Sequence, residues 1–136
     1  MVETGMNLLE KAVALANKVG HVFIATSDSS GWPHLAAART LSLQEDGRIV
    51  VREWFCPGTI DNLQKNRRVS VVVWEDISDT GYQLLGEMED MTDIGMLNGY
   101  TPEMESKWPL PQVESQLLVR VRKITDFKRA PHNDKV

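Results

Sequence analysis

Cysteine occurs once in these 136 residues, as Cys56, and a lone thiol closes no intrachain disulfide and supplies no thiolate metal cluster. Nor is there an excess of basic residues: 15 Lys and Arg face 19 Asp and Glu, a net charge of −4, which excludes non-specific nucleic-acid binding or an anionic membrane surface as the main business. No apolar run reaches the roughly 20 residues of a membrane-crossing helix. The opening Met1-Val2-Glu3-Thr4-Gly5 lacks the basic and apolar regions of a signal peptide, so a cytoplasmic location is expected. Internal repeats and linker-like stretches are missing too. No Ser/His/Asp or paired-carboxylate arrangement has a spacing suited to hydrolysis, and no metal-ligand set stands out, so catalytic residues stay unassigned and no metal is expected.

With 42% hydrophobic and 25% charged residues the composition is that of a folded globular chain, and the length fits a single domain over residues 1–136. From Asn7 to Val19, Leu8, Leu9, Ala12, Val13, Leu15, Ala16 and Val19 recur at helical spacing, with Asn7 and Glu10 in capping-box positions and Gly20 as the stop. His21 to Ser27 reads as a buried strand, and Asp28-Ser29-Ser30-Gly31 turns the chain into Pro33 and a second strand from His34 to Gln44. Gln44-Glu45-Asp46-Gly47 turns it back into Arg48 to Trp54. Arg68 to Trp74 is apolar on both faces, which predicts a central strand. Tyr82 to Glu89 follows, with Gly86 marking a bend or bulge. Between Thr92 and Lys107 the signals conflict: Thr92-Asp93 suits a capped turn, and Thr101-Pro102 suits a helix start. Trp108-Pro109-Leu110-Pro111 reads as a rigid connector and Ser115 to Phe127 as the last strand. The remaining residues, 127–136, lack periodicity and are expected to form a mobile tail. Six short strands, one leading helix and hairpin connections predict a mainly β (α+β) antiparallel barrel. A barrel this small fills with its own side chains, so a large ligand would sit outside it or between two copies.

The segment from Pro33 to Asn66 carries the chemistry. In its first strand the odd positions Leu35, Ala37, Leu41 and Leu43 are apolar, yet Arg39 shares their register, so the alternation aims a guanidinium at an apolar face. Such a charge needs a partner. Two candidates fit: Glu53, which itself interrupts the apolar set Ile49, Val51 and Phe55, or a bound anion. After Phe55-Cys56-Pro57-Gly58, the run Thr59 to Asn66 predicts a short helix with Thr59 as its N-cap. Its free N–H groups and the side-chain-free Gly58 suit an approaching anion, though a capped connector has the same pattern, and Asp61 in the first turn would repel a phosphate on its side. Cys56 is either a reactive thiol of that loop or a small packed residue, with nothing basic beside it in sequence. His34 either lines a site or is solvated after its turn. Trp32, Trp54, Trp74 and Trp108 suit either ring stacking or packing.

Taken together, His21 to Ser27 with Gly31-Trp32-Pro33-His34, the strand Ala38-Arg39-Thr40-Leu41, the run Thr59-Ile60-Asp61-Asn62-Leu63 leading to Asn66-Arg67-Arg68-Val69-Ser70-Val71, and Tyr82-Gln83-Leu84-Leu85-Gly86 resemble the pyridoxamine 5'-phosphate oxidase-like FMN-binding split barrels over Leu8 to Phe127. The resemblance implies a six-stranded Greek-key split barrel with flanking short helices, a homodimer, and FMN at the subunit interface. It places Ala38, Arg39, Thr40 and Leu41 along the flavin, Gly58, Thr59 and Asn62 at its phosphate, and Trp54 close by. Gly58 and Thr59 stand where relatives carry basic residues, so neutralising a phosphate falls to Arg39, Arg52 or backbone N–H groups. The chain ends Lys128-Arg129-Ala130-Pro131-His132-Asn133-Asp134, unlike the Arg- and His-rich end of the vitamin B6 oxidases. The implied function is a flavin-dependent oxidoreductase of unassigned substrate and electron donor. The alternatives are a dimer that has lost the cofactor, with Arg39 satisfied by Glu53, or a haem-binding member using His132 or His34.

Overall fold

The computed structural model describes residues 5–96 and 113–134. Helix α1 (Gly5–Val19) precedes strands β1 (Val22–Ser27), β2 (Pro33–Ala38), β3 (Thr40–Leu43) and β4 (Arg48–Trp54); helix α2 (Pro57–Lys65) then leads to β5 (Arg68–Glu75), β6 (Thr80–Met96) and β7 (Val113–Asp126). All strand pairings are antiparallel, and the sheet runs β2-β1-β5-β6-β7-β4-β3. This is the expected mainly β split barrel with two flanking helices.

Seven strands appear where six were expected, because the strand predicted from His34 to Gln44 breaks at Arg39. On one side of the break β2 pairs with β1, and on the other β3 pairs with β4. The two edges of the sheet are therefore consecutive pieces of chain, joined through one residue. The break also slips the alternation. In β2 the even positions Ala36 and Ala38 turn inward, whereas in β3 the inward residue is Leu41, so one extra residue separates the two buried sets. Arg39 falls at the slip and is exposed, correcting the reading that placed it on the apolar face.

Strand β5, buried at five successive positions, lies between β1 and β6 as its apolar run implied. Gly86 marks the expected bulge: the register with β7 shifts between Leu85 and Gly86, and a Cβ there would collide with the Arg120 carbonyl oxygen. Strand β6 extends beyond Glu89, so Thr92 and Asp93 pair with Gln116 and Ser115 and do not cap a turn. The expected helix start at Thr101-Pro102 and the Trp108 to Pro111 connector lie outside the described residues.

Helix α1 begins at Gly5, two residues before the capping box placed at Asn7, and ends where Gly20 adopts a left-handed φ of 90° and donates its N–H to the Ala16 carbonyl. Its buried stripe, Leu9, Ala12 and Ala16, packs over β3 and β5. Helix α2 starts two residues earlier than expected, at Pro57. Proline suits a first helical position because its missing N–H would have no intrahelical partner there. The N-cap residue is thus Cys56, and Thr59 lies inside the first turn. Asn62 and Asn66 stitch α2 to β1 by donating to the hydroxyl oxygens of Thr26 and Ser27 at 3.1 and 3.2 Å.

Residues 127–134 have no regular structure, yet a carboxylate clasps the start of this tail. Asp79, in the β5–β6 turn, accepts the backbone N–H groups of Arg129 and Ala130 at 2.7 and 2.8 Å and the Trp74 indole N–H at 2.9 Å. The Arg129 guanidinium lies 5.9 Å from the centre of the Trp74 ring. The Arg129 amide, then the Trp74 indole and the Ala130 amide, stabilise the charged carboxylate and lower its pKa from 3.8 to about 2. A folded pKa below the unfolded one means the clasp contributes fully above about pH 4 and fades as pH falls towards 2. The Ala130 amide and Trp74 indole resonances should therefore hold steady from pH 7 to 4 and shift together below. Movement with a midpoint near pH 4 would contradict the clasp.

Candidate functional site

A cleft of about 390 Å³ opens at the β2/β3 break and is lined by Gly20, His21, Ala37, Ala38, Arg39 and Glu53. The Arg39 backbone N–H donates to the Glu53 carbonyl at 3.3 Å, bridging the break. Glu53 sits at φ 59°, a left-handed conformation that costs a side-chain-bearing residue of order 1 kcal/mol, and the β4–β7 register shifts between Val51 and Trp54 beside it. The Glu53 carboxylate does not take up the Arg39 charge. It accepts a 2.6 Å hydrogen bond from the Thr40 hydroxyl, and Arg39 makes no ion pair or side-chain hydrogen bond among the described residues. The internal pairing of Arg39 with Glu53 therefore does not form.

Other arginines near the strands are committed elsewhere. Arg52 pairs with Glu114 at 3.0 Å, which removes it from the set expected to neutralise a phosphate. Arg48 and Arg120 share Glu89, and Arg122 faces Glu87. Gln83 donates to the Ser70 hydroxyl oxygen at 2.9 Å.

The other end of β2 meets the start of α2. The His34 Nε2, on β2, lies 3.1 Å from the Cys56 sulfur, and a Cβ at Gly58 would press on the same imidazole at 3.3 Å. Gly58 thus leaves room for the ring that reaches the thiol. Burial pushes the Cys56 thiol pKa up, but polar contacts from Thr59 and His34 outweigh it and leave the thiol below its ordinary value. Thr59 is fully buried and its Oγ1 meets no well-aligned hydrogen-bond partner, so the short His34 contact is the better supported of the two. The sequence hid this pair because its members are 22 residues apart. The alternation of β2, once its inward face is known to be the even one, brings His34 toward α2.

The remaining expected site residues have structural surroundings. Trp54 is 1% exposed and donates its indole N–H to the Val51 carbonyl at 3.2 Å; Leu41 and Ala38 belong to the core; and the Asn62 amide is held by Thr26. Asp61, facing outward, pairs with Lys65 at 3.3 Å. Arg39 and Thr40 at one end of β2, and the exposed Gly58 beside the other, remain as groups able to meet a ligand, whereas Thr59, expected at the phosphate, is fully buried.

Alkylation of Cys56 by iodoacetamide, followed against pH, should show a midpoint below that of a free cysteine thiol, and His34→Ala should move the midpoint up. An identical profile for the two proteins would contradict the pairing.

A family model described as pyridoxamine 5'-phosphate oxidase matches residues 8–126. Among curated proteins no match was found. An FMN-binding protein from Syntrophomonas wolfei superposes with a TM-score of 0.67 at 19% identity, over 93% of this chain and 90% of that one. A Clostridium acetobutylicum protein of the pyridoxinephosphate oxidase family, related to a general stress protein of Bacillus subtilis, gives 0.65 at 16% identity, over 95% and 93%. HupZ from Group A Streptococcus gives 0.62 at 16% identity, over 98% and 99%. Identities this low speak for the fold alone, while the family match spans nearly the whole chain. The chain belongs to the pyridoxamine 5'-phosphate oxidase family.

Proposed function

We propose that this chain binds FMN and acts as a flavin-dependent oxidoreductase, with a homodimer as the binding unit. The observation that carries the reading is Arg39: a guanidinium exposed at the rim of a cleft, without an ion pair among the described residues. The residues present fit a phosphorylated aromatic ligand. Arg39 offers a charge-assisted donor, and the exposed Gly58 in the first turn of α2 lets an anion approach the helix start without a side chain in the way. His34 and Arg39 stand five residues apart on one extended segment, roughly 16 Å at strand rise, so the two groups of donors address opposite ends of an elongated molecule.

Bound FMN would supply reversible electron transfer, which no side chain of this protein provides. Arg39 would orient the ligand and favour negative charge near its own end. The N–H of Gly58 at the start of α2 would hold the phosphate, and the pairing of Asp61 with Lys65 lessens the repulsion that Asp61 would otherwise exert. Ala38, Leu41, Trp54 and Asn62 would act from behind, fixing the backbone that presents these groups. The S. wolfei protein described as FMN-binding shares the fold. A second copy is supported by an apolar groove of about 480 Å³ lined by Phe23, Leu35, Val72, Trp74 and Phe127, with Leu35 60% exposed. A cofactor-free dimer would need Arg39 satisfied by Glu53, and the geometry offers no such pair.

Titration of the purified chain with FMN, followed by quenching of flavin fluorescence, should saturate. Arg39→Ala should weaken binding at least tenfold, about 1.4 kcal/mol. Arg39→Lys should recover part of the loss if charge at this position matters. Unchanged affinity in Arg39→Ala would remove Arg39 from the site, and failure of the native chain to bind FMN would overturn the reading.

A further inference from the structure

The tail clasped by Asp79 brings three potential metal ligands together at the end of β7. One ligand atom each from Asp126, His132 and Asp134 lies within 4.8 Å of the other two. The separation of His132 Nε2 from Asp134 Oδ1 is 3.2 Å. Two donors about 2.0–2.2 Å from one tetrahedral zinc ion lie roughly 3.3–3.5 Å apart, so this edge is already close to ligating geometry. The Asp134 carboxylate, 78% exposed, is free to turn and close the remaining gap.

The imidazole is set up for ligation. Its Nδ1 lies 2.8 Å from the Ala130 carbonyl oxygen, which only accepts, so Nδ1 carries the proton and donates it. In the neutral ring, Nε2 therefore presents its lone pair to the carboxylates. A backbone carbonyl holding the far nitrogen of a ligating histidine is a common way to fix its tautomer and orientation. Ala130 itself is anchored, since its N–H is one of the two that Asp79 accepts.

Asp126 adds an independent observation. Its side chain is 16% exposed, its Oδ2 lies 3.7 Å from the Lys128 ammonium, and its Oδ1 is buried without a hydrogen-bond donor. An anionic oxygen buried without a donor is costly, and a bound cation relieves that cost. A proton shared between His132 and Asp134 would make a simple ion pair, but it would give the buried oxygen of Asp126 no hydrogen-bond donor.

We propose that Asp126, His132 and Asp134 form a binding site for a divalent first-row transition metal ion, with one nitrogen and two oxygen ligands and at least one position open to water. The ion would fasten the tail to the end of β7, next to the apolar groove that Phe127, Lys128 and Arg129 help to line. The site is separate from the Arg39 cleft and does not depend on FMN.

Calorimetric titration of the full chain with zinc chloride tests it. The expected result is one ion per chain at micromolar or tighter affinity, weakened at least tenfold by His132→Ala and also by Asp126→Asn. Cys56→Ser should bind as the native chain does, and bound cobalt(II) should show a visible spectrum without thiolate charge-transfer bands. His132 lies in the tail, outside the core, so its substitution leaves folding intact. Failure of the native chain to bind zinc, full affinity in His132→Ala, or loss of binding in Cys56→Ser would overturn the assignment.

Discussion

Closure through a single residue is the constraint on which the rest of this molecule depends. A sheet with two edges exposes two rows of unpaired backbone groups, and here both edges belong to successive pieces of one chain, β2 and β3, that meet at Arg39. Continuity of the peptide ties the edges together, and the hydrogen bond from the Arg39 N–H to the Glu53 carbonyl carries the pairing across the corner. The slip in side-chain alternation follows directly. One extra residue at the corner keeps Ala36 and Ala38 facing in on one side and Leu41 facing in on the other, and the residue at the slip faces out.

An outward guanidinium has a different meaning from a buried one. Buried, Arg39 would have needed Glu53 to offset its desolvation; exposed, it keeps its hydration and remains available. Glu53 is then used locally, accepting from Thr40 across the β3–β4 pair while its own backbone is held in a left-handed conformation. The ion pairs made by Arg48, Arg52, Arg120 and Arg122 settle charge on the β4, β6 and β7 side of the barrel. On the β2 side Arg39 lies at one end, and the His34–Cys56 contact against the α2 start lies at the other. The same strand therefore positions two chemically distinct groups and closes the fold.

Much of this was legible in the sequence. The apolar run of β5, the turn before β4, Gly20 ending α1 and Gly86 marking a bulge all follow from local rules about burial and backbone freedom. The corner at Arg39 was not legible, because Leu35 and Leu41 suggest one odd phase throughout while the alanines of β2 fit either face, and Leu35 in fact points outward, 60% exposed. The start of α2 was misread by two residues for a related reason. Thr59 has the chemistry of a cap, but Pro57 has the geometry of a first turn, and geometry prevailed. The pairing of His34 with Cys56, and the Asp79 clasp that gathers Asp126, His132 and Asp134, join residues distant in sequence. No periodicity reports them.

The central claim is that the corner leaves a cation facing outward to meet an anionic ligand that also reaches the start of α2. It is tested most directly by following the Arg39 side-chain Nε–H and the Gly58 and Thr59 amide resonances in ¹⁵N-labelled protein as FMN is added. All three should shift along one saturation curve. Resonance changes confined to a different face, or an Arg39 signal that stays still while the helix amides move, would contradict it.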